Sequence, residues 1–319
     1  MLRAFLISLS RAYWAQRLVT RWSFAWRMAS RFVSGETLAD ALRVTGELNA
    51  AGLNVTLDHL GEHTTTVADA ERATAAILTL LDVLGSQSVR ANVSIKLTQI
   101  GLTLGESLCA ENLERILQRA RLSRTFVRID MEDSPCVDST LHLYRRARAA
   151  GFEHLGVVIQ AYLYRAEADV RALLEEGAFI RLVKGAYREP PALAYPRKAD
   201  VNANFDRLAC LMLEATREAG APSLSPDGRI PPRAAFGTHD ESRLRFICAC
   251  ARRLGLPPEA IEFQMLYGIR RDLQVQLARQ GYPLRVYVPY GTHWYPYLMR
   301  RLAERPANLW FFLSHFVRR

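Results

Sequence analysis

Lysine is nearly absent from this sequence of 319 residues. Only Lys96, Lys184 and Lys198 occur, and the remainder of the 42 basic residues are arginines. Lys96 and Lys184 each end a short apolar run, so a buried strand would carry the ammonium to its C-terminal end, where α/β barrels hold their chemistry. An ammonium is a compact charge that a guanidinium cannot replace. Both lysines are therefore candidate functional residues, with chance retention as the alternative.

Metal ligands at a recognisable spacing are missing. Five cysteines are scattered along the chain, and Cys248 and Cys250, two residues apart on a predicted helix, face different ways. The carboxylates of Asp130, Glu132 and Asp133 lie at the end of the third predicted strand or just after it, and no spacing of histidines or carboxylates there demands a metal. We expect no metal site, and we expect reduced thiols in a cytoplasmic protein.

Long hydrophobic runs and N-terminal acidic residues are also absent. Residues 1–32 contain no Asp or Glu, no apolar run long enough to span a bilayer and no clear cleavage site. A basic, aromatic, amphipathic helix fits either peripheral contact with a membrane surface or the outside of a barrel, and both stay open. The formal charge of +10 suits an anionic partner, but no basic stripe with interleaved aromatics accompanies it, so nucleic acid is not expected.

From residue 51 onward, short β-branched runs alternate with longer helical patterns, which predicts βαβ units and a parallel sheet. The runs read as nearly continuous hydrophobics, as strands buried on both faces do. Eight strands with intervening helices predict an α/β fold of the (βα)8 TIM-barrel type, in one structural domain with an N-terminal helical segment at 1–48 and a catalytic barrel at 49–319. The predicted strands are residues 54–59, 92–97, 126–131, 156–160, 180–184, 234–238, 261–265 and 285–288.

Polar side chains end every predicted strand, and in a barrel these ends surround a single mouth. We expect Asp130 to face Lys96 there as an ion pair. A final helix begins close to the mouth and carries Tyr297, with Arg300 and Arg301 at offsets of three and four. Two adjacent guanidiniums beside a tyrosine predict a fork for a carboxylate, and an exposed arginine pair is the alternative.

The longest connection, residues 185–233, contains several prolines. It predicts a loop over the mouth, a helix at 201–219 and an exposed turn. Gly185 directly follows Lys184 and lets the backbone approach a large ligand closely, although a glycine at a strand end is more often only a turn.

Short motifs lie at the ends of these strands and on the last helix. The most diagnostic are Arg181-Leu-Val-Lys-Gly-Ala-Tyr187 and Tyr297-Leu-Met-Arg-Arg301. The others are Thr56-Leu-Asp-His-Leu-Gly-Glu62, Ser94-Ile-Lys-Leu97, Arg128-Ile-Asp-Met-Glu132, Val158-Ile-Gln-Ala-Tyr162, Thr238-His-Asp240 and Glu262-Phe-Gln-Met265. Together, and in this order, they resemble the proline dehydrogenase family, flavoenzymes that also form one domain of bifunctional proline-utilisation proteins. The short chain resembles the stand-alone bacterial form.

The resemblance implies a distorted barrel that holds FAD non-covalently at its mouth. The implied reaction is oxidation of L-proline to 1-pyrroline-5-carboxylate, the first step of proline catabolism, with electrons passed to a membrane quinone. Asp130 and Arg181 match the positions regarded as catalytic, Asp130 holding Lys96 and Arg181 lying against the flavin. The residues that match FAD contacts are Met131, Gln160, Arg181, Lys184, Gly185, Ala186, Lys198, Thr238, His239 and Gln264.

The resemblance also implies a substrate site. Arg300 and Arg301 would hold the proline carboxylate, and Glu62 matches the family acid that pairs with the first of these arginines and closes the site. The full set of expected substrate-binding residues is Lys96, Arg300, Arg301, Tyr287, Tyr297, Glu62 and Glu304.

The sequence departs from the family pattern in three places. Arg188 stands where long bifunctional members often have Trp at the adenine end of the cofactor, and Pro196 replaces an expected Thr before Lys198. The segment 292–297 is shorter than in the bifunctional proteins. These departures affect the cofactor's adenine end and the lid over the site.

Two other function classes compete on the residues alone. A class I aldolase would form a Schiff base on Lys96 or Lys184, which borohydride would trap. A basic surface-binding protein would use its arginine-rich termini and would bind in a salt-dependent way without a chromophore.

Overall fold

The computed structural model describes residues 23–61 and 64–304. Its centre is a closed barrel of parallel strands that pair in chain order, β1 with β2 through to β8, which pairs back with β1. The eight-stranded barrel predicted from the sequence is confirmed. The strands are β1 (Asn54–His59), β2 (Ala91–Ile95), β3 (Val127–Ile129), β4 (Leu155–Gln160), β5 (Phe179–Val183), β6 (Ala234–Gly237), β7 (Ile261–Leu266) and β8 (Leu284–Tyr290).

Helices surround the barrel, and one follows each strand. Several begin at a side-chain cap, such as Thr37 before α2, Thr66 before α3 and Asp240 before α8, each of which accepts a hydrogen bond from a first-turn amide. The helices are α1 (Ser23–Ala29), α2 (Leu38–Ala50), α3 (Val67–Ser86), α4 (Glu106–Leu122), α5 (Val137–Ala149), α6 (Ala166–Glu175), α7 (Lys198–Glu218), α8 (Glu241–Arg253), α9 (Arg271–Arg279) and α10 (Trp294–Glu304).

Side chains alternate along the strands between two different environments. The outward residues, such as Val93 on β2 and Phe263 on β7, are apolar and pack into the main hydrophobic core. The alternate residues, such as Arg181 and Glu262, are polar or charged yet equally buried. The expectation of nearly continuous hydrophobic strands is therefore wrong. Both faces are buried, but a hydrogen-bonded polar network fills the barrel interior, so the strands alternate with period two.

The described part of the N-terminal segment packs against α10. Ala25, Ala29 and Val33 form a second hydrophobic cluster with Trp294 and other α10 residues, and the Trp294 indole Nε1 donates to Glu36 Oε1 at 2.9 Å. Two alternatives were open for the N-terminal segment, contact with a membrane surface or packing on the outside of the barrel. Residues 23–36 pack on the outside of the barrel, against α10. Residues 1–22 lie outside the described part. Across the described residues, no helix is long and apolar enough to cross a membrane.

Candidate active site

Lys96 lies at the C-terminal mouth of the barrel between two carboxylates. Its Nζ is 3.0 Å from Asp58 Oδ2 and 3.3 Å from Asp130 Oδ2. Its ammonium also hydrogen-bonds Tyr287 OH at 3.1 Å. The expected contact with Asp130 is present, because β2 and β3 are neighbours and both side chains point inward one position beyond the paired residues. Neighbouring carboxylates favour the charged form of an amine, whereas a Schiff-base nucleophile must be neutral, so this environment does not suit an aldolase lysine.

Asp130 is the hub of this network. Arg181 Nη2 donates to its Oδ1, and Tyr287 OH donates to its Oδ2 at 2.7 Å. Burial opposes ionisation of Asp130, but the guanidinium of Arg181 and the ammonium of Lys96 outweigh that effect and hold its pKa below the ordinary value. Asp130 is therefore an ionised carboxylate that fixes two cations and one phenol.

Asp58 has the opposite balance. Burial raises the pKa of Asp58, Lys96 opposes the rise, and the nearby charge of Asp130 adds to it. Burial also raises the pKa of Tyr287 well above its ordinary value, so its hydroxyl stays protonated and acts as a donor. The mouth therefore pairs an easily ionised acid with one that resists ionisation, and both contact the same ammonium.

The Arg181 guanidinium is held by Asp130 at the mouth and also by residues deeper in the barrel interior. Its Nη1 donates to Gln264 Oε1 at 3.0 Å, and Gln264 Nε2 donates to Glu262 Oε1 at 2.6 Å. Glu262 in turn forms a fully buried bidentate pair with Arg285, at 2.9 and 3.0 Å. A continuous hydrogen-bonded column thus runs through the barrel interior and presents one orientation of the Arg181 guanidinium at the mouth.

Lys184 joins a second cluster at the rim. Its Nζ donates to Asp240 Oδ2 and to Asn202 Oδ1, each at 2.6 Å. Burial of Asp240 raises its pKa, but the hydrogen bond from Lys184 wins and leaves that pKa below the ordinary value. Lys184 therefore ties the start of α8 to the first turns of α7. Lys198 opens α7 and is exposed, and its helix begins without a side-chain cap from Arg197.

Other expected cofactor contacts are anchored by backbone bonds. Gln160 Nε2 donates to the Glu132 carbonyl at 2.8 Å. The Leu266 amide donates to His239 Nε2 at 2.9 Å, so Nδ1 carries the proton of the neutral ring. Thr238 Oγ1 accepts from the Asp240 amide at 3.1 Å. These bonds set the direction in which each side chain presents its remaining polar atoms.

The structure gives a second reason for a glycine at position 185, besides close approach of a ligand. Its φ is +116°, and a Cβ there would lie 2.3 Å from the Tyr162 ring. A side chain at position 185 is therefore excluded twice, by the strain of a positive φ and by a clash with the Tyr162 ring. Met131 is buried just beyond β3, and Ala186 is exposed next to Gly185.

The predicted carboxylate fork lies on α10, which begins four residues after β8 ends and so stays close to the mouth. The Arg301 guanidinium carbon is 5.2 Å from the centroid of the Tyr297 ring. Tyr297 is buried, and Arg300 and Arg301 are half-buried. Glu62 lies outside the described residues, as does the side chain of Glu304.

Sequence reasoning assigned no role to Asp58. The signal was present, because Asp58 pairs in register with Ser94 on β2 and with Pro289 on β8, each two residues from an inward-facing partner, Lys96 or Tyr287. Counting inward positions on adjacent strands would have brought the three together.

The charges at the mouth suit an anionic cofactor such as a dinucleotide. Asp58 and Asp130 are paired with Lys96 and Arg181, and Asp240 is paired with Lys184. The carboxylates therefore leave little negative charge to repel a diphosphate. Lys198 at the start of α7 adds a cation beside first-turn amides, which is an arrangement that binds phosphate groups.

The chain is similar to known proteins over most of its length. A sequence profile described as Proline dehydrogenase matches residues 41–313. Proline dehydrogenase 1 of Bacillus subtilis is 39% identical over 291 residues, 91% of each chain. The proline dehydrogenase of Deinococcus radiodurans is 38% identical over 297 residues, 92% of this chain and 91% of that one.

Solved structures give the same fold. Proline utilization A from Bdellovibrio bacteriovorus, inactivated by N-propargylglycine, aligns with a TM-score of 0.79 and 27% identity. The alignment covers 88% of this chain but 33% of that protein, so this chain spans about a third of its length.

Proposed function

Because this chain belongs to the proline dehydrogenase family, we propose that it oxidises L-proline to 1-pyrroline-5-carboxylate, with FAD held non-covalently as the cofactor. The observation that carries this proposal is the junction at Asp130, which joins Arg181, Tyr287 and Lys96 at the barrel mouth. Such a junction leaves two cations in fixed positions beside a buried phenol.

A bound flavin supplies the acceptor for the hydride that leaves the carbon next to the amine. The residues proposed to hold it are Met131, Gln160, Arg181, Lys184, Gly185, Ala186, Lys198, Thr238, His239 and Gln264. Arg181 has the most constrained position of these, since Asp130 and Gln264 fix both ends of its guanidinium. A fixed positive group near the flavin ring stabilises negative charge that develops there, without reorganisation during the reaction.

The substrate carboxylate is proposed to bind the guanidinium fork of Arg300 and Arg301, with Tyr297 packed against the second arginine. The positive charge of Lys96 also attracts the substrate carboxylate, and Asp58 and Asp130 fix the position of the Lys96 ammonium. Holding the carboxylate at one end of a small ring leaves few orientations for the carbon that transfers hydride.

The proline amine must lose its proton before the hydride leaves. Arg181, Lys96 and the fork gather positive charge around the substrate, and nearby cations favour the neutral amine. The buried Tyr287 hydroxyl, hydrogen-bonded to Asp130, adds a fixed dipole and no net charge.

The electrons are proposed to pass to a membrane quinone, with peripheral membrane contact through the basic N-terminal residues. The test is liposome binding by the full chain and by a variant without residues 1–22, which keeps the packing of Ala25 and Ala29 against α10. Binding that depends on these residues supports the contact, and unchanged binding refutes their role.

Product analysis tests the proposed reaction. The protein, supplied with FAD, is incubated with L-proline and an electron-accepting dye, and the cyclic imine is trapped as its coloured o-aminobenzaldehyde adduct. Dye reduction matched by imine formation supports the proposal. A covalent adduct fixed by borohydride, with no dye reduction, would instead support Schiff-base chemistry.

A further inference from the structure

Cys210 on α7 and Cys250 on α8 place their sulfur atoms 3.2 Å apart. The two helices follow neighbouring strands, β5 and β6, and lie side by side on the outside of the barrel. Cys250 is buried, whereas Cys210 is partly accessible to solvent. Two thiols in direct contact on adjacent helices, one of them reachable from solvent, need only a small approach to form a bond.

The pair belongs to a regular seam between the helices. Asn202, Asp206 and Cys210 lie four residues apart and so share one face of α7. Across the seam, Lys184 bridges Asn202 to the start of α8, and Arg243 lies 2.8 Å from Asp206. The cysteine pair is the next contact away from the mouth. The seam therefore holds the two helices in register, which keeps the sulfur atoms in contact.

We propose that Cys210 and Cys250 form a disulfide, so that this seam is a site of oxidative modification. The oxidant is a small disulfide of the glutathione class. The Cys210 thiolate attacks one sulfur of that disulfide and releases one thiol, and the Cys250 thiolate then attacks Cys210 and releases the second. The protein gives up two protons and two electrons, and the small disulfide takes them up as two thiols. This modifies the expectation that all the cysteines stay reduced.

The environment of the Cys210 thiol makes its reaction with a disulfide slow. Burial, with the neighbouring Cys250 thiol, raises the pKa of Cys210 to about 12, so little thiolate is present near neutral pH. Arg253 Nη2 lies 3.5 Å from Sγ of the resolving cysteine, Cys250. The experiment therefore uses mildly alkaline buffer and a long incubation.

Cys248 provides a matched control on the same helix. It is buried like Cys250, but it faces Tyr282 and lies two residues away, on a different side of α8. Trypsin releases Cys210 in peptide 208–217 and releases both Cys248 and Cys250 in peptide 246–252. A Cys248→Ser variant therefore removes the ambiguity about which sulfur is joined.

The test oxidises the full-length protein with oxidised glutathione and counts thiols after denaturation. We expect the five thiols of the reduced chain to fall by two. Peptides 208–217 and 246–252 should be joined in the wild type and in Cys248→Ser, but not in Cys210→Ser or Cys250→Ser. The link should raise Tm by about 2–5 °C, reversibly on reduction. An undiminished thiol count, a stable glutathione adduct on Cys210, or a link through Cys248 would overturn the proposal. The wild-type peptide map decides even where a variant fails to fold.

Discussion

The carboxylate of Asp58 lies 3.0 Å from the ammonium of Lys96 and is almost completely buried. Asp58 therefore shares this lysine with Asp130, on the opposite neighbouring strand, and the two acids hold Lys96 between them. A lysine so restrained acts as a fixed charge at the mouth, and the proposed substrate site depends on that position.

Replacing Asp58 with Asn tests this dependence. Lys96 would keep only Asp130 as a carboxylate partner and would move toward it. We expect kcat/KM for proline to fall by about tenfold to a hundredfold, the cost of a charged hydrogen bond. Asp272→Asn, an exposed carboxylate on α9, is the control and should leave kcat/KM unchanged. Unchanged kinetics in Asp58→Asn would remove Asp58 from the site.

Replacing Arg301 with Ala tests the carboxylate fork. The contact with the proline carboxylate is made equally in the ground state and the transition state, so its loss should raise KM for proline by about tenfold or more, with a smaller change in kcat. Arg279→Ala removes an exposed arginine at the end of α9 and should leave KM unaffected. A collapse of kcat at constant KM would contradict the assignment.

Asp240 gives a prediction about pH. Its folded-state pKa is held below 3.8, chiefly by Lys184 against the cost of burial, so its ion pair stabilises the fold above that pH and is lost as the pH falls through the folded-state pKa. Asp240→Asn keeps the helix cap on α8 but loses the charge. In urea unfolding at a series of pH values, the wild type should be the more stable near neutrality, and the difference should shrink in acid. Equal stability of the two proteins at every pH would show that the cap alone matters, and a difference that does not depend on pH would refute the role of the ion pair.

Arg229 stabilises the N-terminal end of the barrel. Its guanidinium donates to the carbonyl of Leu84 at 2.8 Å, within the last turn of α3, and to that of Gln87 at 2.5 Å, just beyond it. It also donates to the carbonyl of Ser123 at 3.0 Å, just after α4. Arg229→Ala should lower the free energy of unfolding by about 3 kcal/mol, because buried helix-end carbonyls lose their donor. Denaturant titration measures this. Arg233→Ala, nearby on the chain and exposed, is the comparison, and equal losses in both variants would refute a specific role for Arg229.

The sequence was sufficient to predict the barrel and the approximate limits of its strands, because the βα alternation repeats eight times and β-branched runs are distinctive. It also predicted the contact of Asp130 with Lys96, which follows from strand order. The polar interior was missed, because burial on both faces was taken to require apolar residues on both. Inside this barrel, Glu262 and Arg285 instead satisfy each other's hydrogen bonds.

Asp58 and the Gly185 contact were missed for a different reason. Each depends on three-dimensional register, Asp58 on two strand neighbours and Gly185 on the ring of Tyr162, 23 residues earlier in the chain. Local patterns do not show which inward-facing side chains meet. Asp58 could have been found only by counting inward positions across adjacent strands, and the contact with Tyr162 only in the folded structure.

The central claim is that this barrel mouth oxidises proline on a bound flavin, and an anaerobic absorption spectrum of the purified protein tests it most directly. The account predicts flavin bands that bleach when L-proline is added. Bands that persist with proline would contradict the assigned substrate. A colourless protein that cannot be reconstituted with FAD would contradict the flavin site itself.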